Sequence, residues 1–241
     1  MKPLKSNPSE LKVFLEAGAE TTALVYSASG SSTVALILGH GAGAGQRSGF
    51  MANMSRMLAA LGVDVVTFNF LYTEQRRRIP DRPPVLEACY RSVIDAVRGN
   101  VASARAHLFI GGKSMGGRIA TQVAAADRDL PVAGLVLLGY PLHPPGRPDQ
   151  RRDKHLPAIG RPMLFVQGSR DAFGTPAELT PVLASLDQKA TLHVVQGGDH
   201  SFKLSRTDAA AQAAALDDVA RTAADWIQQV SSRTPPSRVK P

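Results

Sequence analysis

The sequence has 241 residues, of which 44% are hydrophobic and 20% are charged, and it carries a formal net charge of +8. This composition is sufficient for a full hydrophobic core and excludes a globally disordered chain. The single cysteine, Cys89, excludes an internal disulfide.

The composition also limits the partners and the location that we expect. No apolar run approaches about 18 residues, and the N-terminus lacks the apolar core of a signal peptide. We therefore predict no membrane partner and a cytoplasmic location. The positive charge is compatible with nucleic-acid binding, but the basic residues fall into loops and the C-terminal tail, without a known nucleic-acid-binding motif. We expect no nucleic-acid partner.

Hydrophobic patterns predict strands that alternate with helices through most of the chain. Short apolar runs predict strands over residues 11–15, 22–26, 33–38, 63–70, 106–110, 131–139, 162–168 and 191–195. Apolar residues at helical spacing and helix-terminus signals predict helices over residues 48–61, 85–98, 118–124, 176–186 and 207–230. The proline-containing segments 71–84 and 140–161 are predicted to be loops.

This alternation predicts one α/β domain over residues 11–230, with a three-layer α/β/α, doubly wound and mostly parallel sheet and no large lid domain. Residues 1–10 are predicted to be an N-terminal extension, and residues 231–241 a flexible basic tail that contains Pro235 and Pro236. Ligands of such sheets bind at the carboxyl ends of the strands. The residues that directly follow the strands are therefore the candidates for a functional site.

The candidate nucleophile lies in the segment 111–117, Gly-Gly-Lys-Ser-Met-Gly-Gly, between a predicted strand and a predicted helix. Residues 112–116 fit the G-x-S-x-G pattern, and this strand–turn–helix context is the one in which the pattern presents a serine hydroxyl above a sheet. Its glycines are needed because the strand and the helix would pass too close for Cβ atoms. Ser114 is the candidate nucleophile, and capping of the following helix is its alternative role.

A candidate acid and a candidate base follow the last two predicted strands. Asp171 ends the sequence Gly-Ser-Arg-Asp, and His200 follows two glycines. A Ser–His–Asp triad needs a base for the hydroxyl proton and a carboxylate that orients the imidazole. Along the chain the three residues come in the order Ser114, Asp171, His200, and one fold class carries its triad in this order. Asp171 could instead cap the helix near Pro176. Asp199 competes as the acid, but it directly precedes the histidine and cannot easily reach its ring.

The glycine-rich turn at residues 39–45 allows two interpretations. Residues 39–44 fit the G-x-G-x-x-G/A pattern of dinucleotide-binding folds, but the next strand ends in Phe-Asn-Phe, without the acidic residue that this pattern requires. In the alternative interpretation, the backbone of this turn supplies N–H donors that bind an oxyanion. The six histidines show no metal-ligand spacing. We therefore expect neither a cofactor nor a metal.

From about residue 11 to residue 230 the chain resembles the α/β-hydrolase superfamily, and especially its small, dienelactone-hydrolase-like members. The resemblance rests on the G-x-S-x-G elbow, the His-Gly segment after the third strand, the Gly-x-x-Asp loop and the late histidine, in that order along the fold. It implies Ser114 as nucleophile, His200 as base and Asp171 as the orienting acid. Dienelactone hydrolases carry a cysteine as nucleophile, so Ser114 predicts ester-type hydrolysis of another substrate.

The resemblance also implies an oxyanion hole. Its first donor would be the backbone N–H of Met115, and its second an N–H of the turn at residues 40–43. Ala42 is the first choice for this second donor, and Gly43 is the next. Removal of one such donor typically lowers the rate by about 10²–10³-fold.

Basic segments near the same sheet edge suggest a class of substrate. They contain Arg76, Arg77, Arg78 and Arg82, and then Arg147, Arg151, Arg152 and Lys154. They predict an electropositive rim that favours carboxylate- or phosphate-bearing substrates, although solvated arginines are the alternative. His40, Arg76 and Lys113 are candidate substrate contacts. We expect a serine hydrolase that cleaves a small ester or thioester through an acyl-enzyme, with a non-catalytic binding or scaffold protein as the alternative and no particular oligomeric state.

Overall fold

The structure, a computed structural model, describes residues 7–15, 18–186, 190–204 and 208–233. Within these ranges the strands are β1 (Ser9–Phe14), β2 (Glu20–Tyr26), β3 (Val34–Gly39), β4 (Asp64–Phe68), β5 (His107–Lys113), β6 (Gly134–Leu138), β7 (Met163–Gly168) and β8 (Ala190–Val195). The helices are α1 (Gly49–Ala60), α2 (Leu71–Glu74), α3 (Pro83–Asn100), α4 (Ala102–Ala106), α5 (Met115–Ala126), α6 (Pro176–Ala184) and α7 (Ala209–Arg233), with a 3₁₀ turn at Leu156–Ala158.

The eight described strands form one sheet in the order β1-β2-β4-β3-β5-β6-β7-β8. Strand β2 pairs antiparallel with β1 and with β4, and all other neighbours are parallel. Strands β3, β6 and β7 are buried along their whole length, and their sequences are accordingly apolar except for Gln167 in β7. The predicted doubly wound, mostly parallel α/β fold without a large lid domain is confirmed.

Helices cover both faces of the sheet and form two hydrophobic cores. Successive residues of a strand point to opposite faces, so Ile37 joins the core under α3 and α5, whereas Leu36 and Leu38 join the core under α1 and α7. Tyr90 of α3 and Trp226 of α7 are large side chains of these two cores. No helix within the described ranges is both long enough and apolar enough to cross a membrane.

The structure differs from the predicted boundaries at several elements. Strand β1 begins at Ser9, so part of the predicted extension belongs to the sheet, and α7 continues to Arg233 in the predicted tail. The predicted loop 71–84 contains α2, and α3 begins within it at Pro83, because proline is compatible with the first turn of a helix. Helix α4 was not predicted. Both missed helices are too short for a periodic pattern. Residues 1–6 and 234–241 lie outside the described residues.

Candidate active site

Ser114 occupies a sharp turn between β5 and α5. Its backbone has φ 51° and ψ −114°, a conformation that residues with a side chain rarely adopt. The turn is held because the Ser114 N–H donates to the Leu138 carbonyl at 3.0 Å, and the Ser114 carbonyl accepts from the Arg118 N–H at 3.0 Å. The Ser114 side chain makes no capping hydrogen bond to α5, which excludes its alternative role as a helix cap.

Two glycines of the elbow allow this turn to lie against the neighbouring strand β3. A Cβ atom on Gly112 or on Gly116 would overlap the Gly39 carbonyl, a backbone group that cannot rotate away. The close approach of strand and helix that the sequence predicted is therefore present. It fixes the height of Ser114 above the carboxyl edge of the sheet.

Ser114, His200 and Asp171 form a continuous hydrogen-bonded relay. The Ser114 Oγ lies 2.8 Å from the His200 Nε2, and the His200 Nδ1 lies 2.8 Å and 2.9 Å from the two carboxylate oxygens of Asp171. An ionised carboxylate only accepts hydrogen bonds, so Nδ1 is the protonated nitrogen and Nε2 is free to accept the serine proton. The three side chains come from loops after β5, β7 and β8.

Asp171 is fully buried, and its carboxylate accepts hydrogen bonds from three donors among the described residues. Besides His200, Oδ2 accepts from the Gln167 Nε2 and Oδ1 accepts from the Phe173 N–H, both at 2.8 Å. Asp171 does not cap α6. That role belongs to Thr175, which forms a capping box with Glu178. The carboxylate is therefore free to orient the imidazole.

Gln167 is a supporting residue that the sequence interpretation missed. It is fully buried in β7, and its Nε2 donates to Asp171, to the Gly174 carbonyl at 2.7 Å and to the Tyr140 carbonyl at 3.3 Å. Its Oε1 accepts from the Tyr140 N–H at 2.8 Å. A polar side chain within an otherwise apolar, fully buried strand must have buried partners, and this was the signal in the sequence.

The loop that carries His200 is held from two sides. Phe173 stacks on the imidazole with a centroid distance of 4.1 Å and an interplanar angle of 26°. The Asp199 Oδ1 accepts from the N–H groups of Ser201 (2.8 Å) and Lys203 (2.9 Å). Asp199 thus shapes its own loop, which leaves Asp171 as the carboxylate on the imidazole. Phe173 was also missed, since no sequence pattern indicates stacking between two loops.

The predicted oxyanion turn lies beside the serine. A Cβ atom on Gly41 would lie 3.6 Å from the Ser114 Cβ, and Ala42 lines the same cavity as Ser114. Met115 begins α5, so its N–H has no acceptor within the helix and is available to a ligand. Gly43 is exposed with φ 72° and is not part of the cavity wall. The structure therefore brings Ala42 and Met115 to the serine, and Gly43 lies farther out.

A cavity of about 350 Å³ opens above Ser114 and His200. This volume is typical of sites for small organic ligands. Most of its exposed wall is apolar, and it is lined by Gly41, Ala42, Ala44, Ser48, Phe50, Met51, Lys113, Ser114, Phe173, His200 and Ser201. The cavity therefore offers an apolar wall for a short carbon chain, with the relay at one end.

Comparisons with known proteins identify the family. A family model described as an alpha/beta hydrolase domain matches residues 32–228. The chain belongs to the alpha/beta hydrolase family. The structure is similar to an α/β serine hydrolase without lid from Xanthomonas campestris, with a TM-score of 0.71, 21% identity and 100% of both chains covered. It is also similar to a dienelactone hydrolase from Anabaena variabilis, with a TM-score of 0.71, 20% identity and 93% and 99% of the two chains covered.

Two of the three predicted substrate contacts of this alpha/beta hydrolase lie away from the cavity surface. His40 is fully buried; its Nδ1 donates to the Gly41 carbonyl at 2.8 Å, and its Nε2 accepts from the Phe70 N–H at 3.2 Å. Burial lowers the pKa of His40, which favours this neutral form. His40 thus supports the glycine-rich turn at residues 39–45 from its buried side. Arg76 is exposed on the loop after α2, with φ 57°, and is not part of the cavity wall.

Lys113 belongs to the cavity wall, but its amine does not reach the open space. The residue lines the cavity, whereas the Nζ is buried and has no hydrogen-bond partner among the described residues. Burial lowers the pKa of Lys113 to about 8, although Asp171 and Asp199 oppose this shift by their negative charge. A buried amine without a partner is an uncommon feature, and nothing in the sequence predicted it.

Part of the predicted basic rim forms a cluster beside α5. Burial lowers the pKa of Arg152 and of His155, and the nearby positive charge of Arg118 lowers both further. Arg151 is paired with Asp153 at 2.6 Å, whereas Arg118 and Arg152 have no carboxylate hydrogen-bond partner among the described residues. The structure thus brings the guanidinium groups of Arg118, in α5, and Arg152, in the loop after β6, near each other, with no salt bridge to either among the described residues.

Proposed function

We propose that this protein is a serine hydrolase that cleaves a small ester or thioester through an acyl-enzyme. The observation that carries the proposal is the relay of hydrogen bonds from the Ser114 Oγ through His200 to Asp171. In such a relay the serine attacks the carbonyl carbon while the histidine takes its proton, and the buried carboxylate stabilises the resulting imidazolium.

The remaining groups of the site have defined roles in this reaction. The N–H groups of Met115 and Ala42 would bind the oxyanion of the tetrahedral intermediate. His200 then returns its proton to the leaving alcohol or thiol, which releases the product and leaves the acyl group on Ser114. A water molecule activated by the same histidine hydrolyses the acyl-enzyme. The apolar wall formed by Phe50 and Met51 suits a short acyl chain.

This proposal is tested by measuring kcat/KM of wild type and of Ser114→Ala with nitrophenyl acetate, a neutral ester. We expect the variant to lose about 10³-fold or more in kcat/KM, because the nucleophile is absent. Ser92→Ala, at a partly exposed position of α3, is the matched control and should equal wild type. Equal activity of wild type and Ser114→Ala would contradict the proposal and favour a non-catalytic binding or scaffold protein.

We further propose that the hydrolase favours substrates that bear a carboxylate or a phosphate. This proposal rests on Arg118 and Arg152, which lie close to each other without an acidic hydrogen-bond partner among the described residues. Partly desolvated guanidinium groups bind such anions strongly and often through two hydrogen bonds. Arg118 ends the first turn of the helix that begins directly after Ser114.

The ratio of kcat/KM for a carboxylate-bearing ester to that for its neutral analogue measures this preference. We expect Arg152→Gln to lower the ratio about 5–10-fold at low salt, because one of the two positive charges proposed to attract the anion is lost. Arg128→Gln removes the same charge from the exposed turn after α5 and should leave the ratio unchanged. A wild-type ratio near one would contradict the anionic preference and leave the hydrolase proposal intact.

A further inference from the structure

Lys113 reaches from the nucleophile elbow to the base of the relay. Its backbone directly precedes Ser114, and its side chain extends to Gly139, at the end of β6. A Cβ atom on Gly139 would lie 2.8 Å from the Lys113 Nζ and 3.5 Å from the His200 Cε1. The amine and the imidazole thus approach the same point, and only the absence of a side chain on Gly139 leaves room for both.

The surroundings of the amine contain two carboxylates but no direct partner. Asp171 faces it from the loop after β7, Asp199 and His200 face it from the loop after β8, and the Phe202 ring centroid lies 5.6 Å away. Asp171 already accepts from three donors and Asp199 from two backbone N–H groups. The amine therefore feels the field of these carboxylates without a hydrogen bond to either.

A buried ammonium without a hydrogen-bond partner destabilises the folded protein, and a methionine of similar length would fill the same space without that cost. A purely structural role would therefore be served better by an apolar side chain. The position of the charge suggests another role, because the relay beside it becomes positively charged during the reaction. At that moment His200 holds the proton of Ser114 as well as its own.

We propose that Lys113 is a positioning residue of the relay: its ammonium opposes formation of the His200 imidazolium, and loss of its proton removes this opposition. This inference rests on the proposed hydrolase function. A positive charge beside the imidazole, in a partly desolvated site, slows formation of the imidazolium and hence the reaction by about tenfold. Since the pKa of Lys113 is lowered to about 8, its change from ammonium to neutral amine falls within the pH range in which an enzyme assay is practical.

The sign of the effect distinguishes this role from a structural one. Below the pKa of Lys113 the ammonium is present and turnover is held down; above it the amine is neutral and turnover rises. Lys113→Met removes the charge at every pH. We therefore expect the variant to be about tenfold faster than wild type near neutral pH, and equal to wild type well above pH 8. A residue that only supports the fold would slow the enzyme when replaced.

The experiment measures kcat/KM for a neutral ester from about pH 6 to pH 10. The variants are Lys113→Met and Lys113→Gln, two neutral side chains that pack differently, and Lys203→Met, which removes an exposed lysine from the same loop as His200. We expect wild type and Lys203→Met to show a rise centred near pH 8, and both Lys113 variants to lack it.

A titration of the Lys113 side chain by NMR, with ¹³C-labelled lysine and Lys113→Met for assignment, measures the same proton without turnover. A midpoint near pH 8 supports the inference. A midpoint at the ordinary lysine value of about 10.4, or a pH profile of the Lys113 variants identical to wild type, overturns the inference alone. No Ser114-dependent turnover in wild type or in any variant at any pH would instead overturn the proposed function, and this inference with it.

Discussion

Replacement of Gln167 by leucine is expected to loosen the acid of the proposed triad and to destabilise the fold. The leucine fills a similar space but leaves four partners without their hydrogen bonds: Asp171, Gly174 and both backbone groups of Tyr140. A neutral hydrogen bond contributes about 1 kcal/mol and one to a carboxylate about 2 kcal/mol, so the free energy of unfolding should fall by about 5 kcal/mol. In a chain of this size, that lowers the melting temperature by roughly 10–20 °C.

The same change should also lower activity in the protein that remains folded. Asp171 keeps its bonds to His200 and to the Phe173 N–H, so the carboxylate is loosened but not lost. We expect kcat/KM to fall about 10–10²-fold, less than the roughly 10⁴-fold of a triad without its acid. The assays are thermal denaturation followed by circular dichroism and ester hydrolysis at 25 °C.

The matched control for this prediction is Gln196→Leu. Gln196 follows the neighbouring strand β8 and is exposed, so its replacement should change the free energy of unfolding by no more than about 0.5 kcal/mol. A Gln167→Leu protein that melts within about 3 °C of wild type and hydrolyses esters at the wild-type rate would refute the role of Gln167.

Three further substitutions test other parts of the structure. Asp171→Asn keeps the volume but removes the negative charge and replaces one acceptor oxygen by an NH2 donor, and it should lower kcat by about 10⁴-fold; activity within tenfold of wild type would contradict the assignment of Asp171 as the acid. Thr175→Ala removes the cap of α6 and should lower the melting temperature by about 2–4 °C with unchanged kcat. A lower kcat at an unchanged melting temperature would be inconsistent with capping. Gly116→Ala should lower the melting temperature far more than Gly49→Ala, because only the Cβ at position 116 would overlap backbone atoms, those of Gly39. Equal melting temperatures of the two variants would rule out the close approach of α5 to β3.

The fold was predictable from the sequence because its strongest signals are local. Strand β3 is continuously apolar since helices cover both of its faces, and the turn that follows it is marked by glycines. The candidate residues Ser114, Asp171 and His200 lie in the segments that follow β5, β7 and β8, and the parallel sheet brings such segments to one edge. Their chain order was sufficient to group them, and the structure places them within hydrogen-bonding distance of one another.

The support of the site was not predictable, because it depends on the directions of side chains in irregular turns. The stacking of Phe173 on His200 joins two loops that are far apart in sequence. His40 follows a strand just as the other candidates do, yet its ring is buried and forms hydrogen bonds with the backbone of Gly41 and Phe70. Lys113 is the last residue of β5, but only the position of Gly139 shows that its amine lies beside the His200 imidazole.

Covalent labelling of the nucleophile is the most direct test of the central claim, that Ser114 is activated by His200 and Asp171. Wild type is treated with a fluorophosphonate probe, and the modified peptide is located by mass spectrometry. We predict a single adduct on Ser114, no adduct in Ser114→Ala, and labelling of His200→Ala slowed by at least about 10³-fold, because the serine loses its base. Labelling that persists in Ser114→Ala, or that proceeds at the wild-type rate in His200→Ala, would contradict the account.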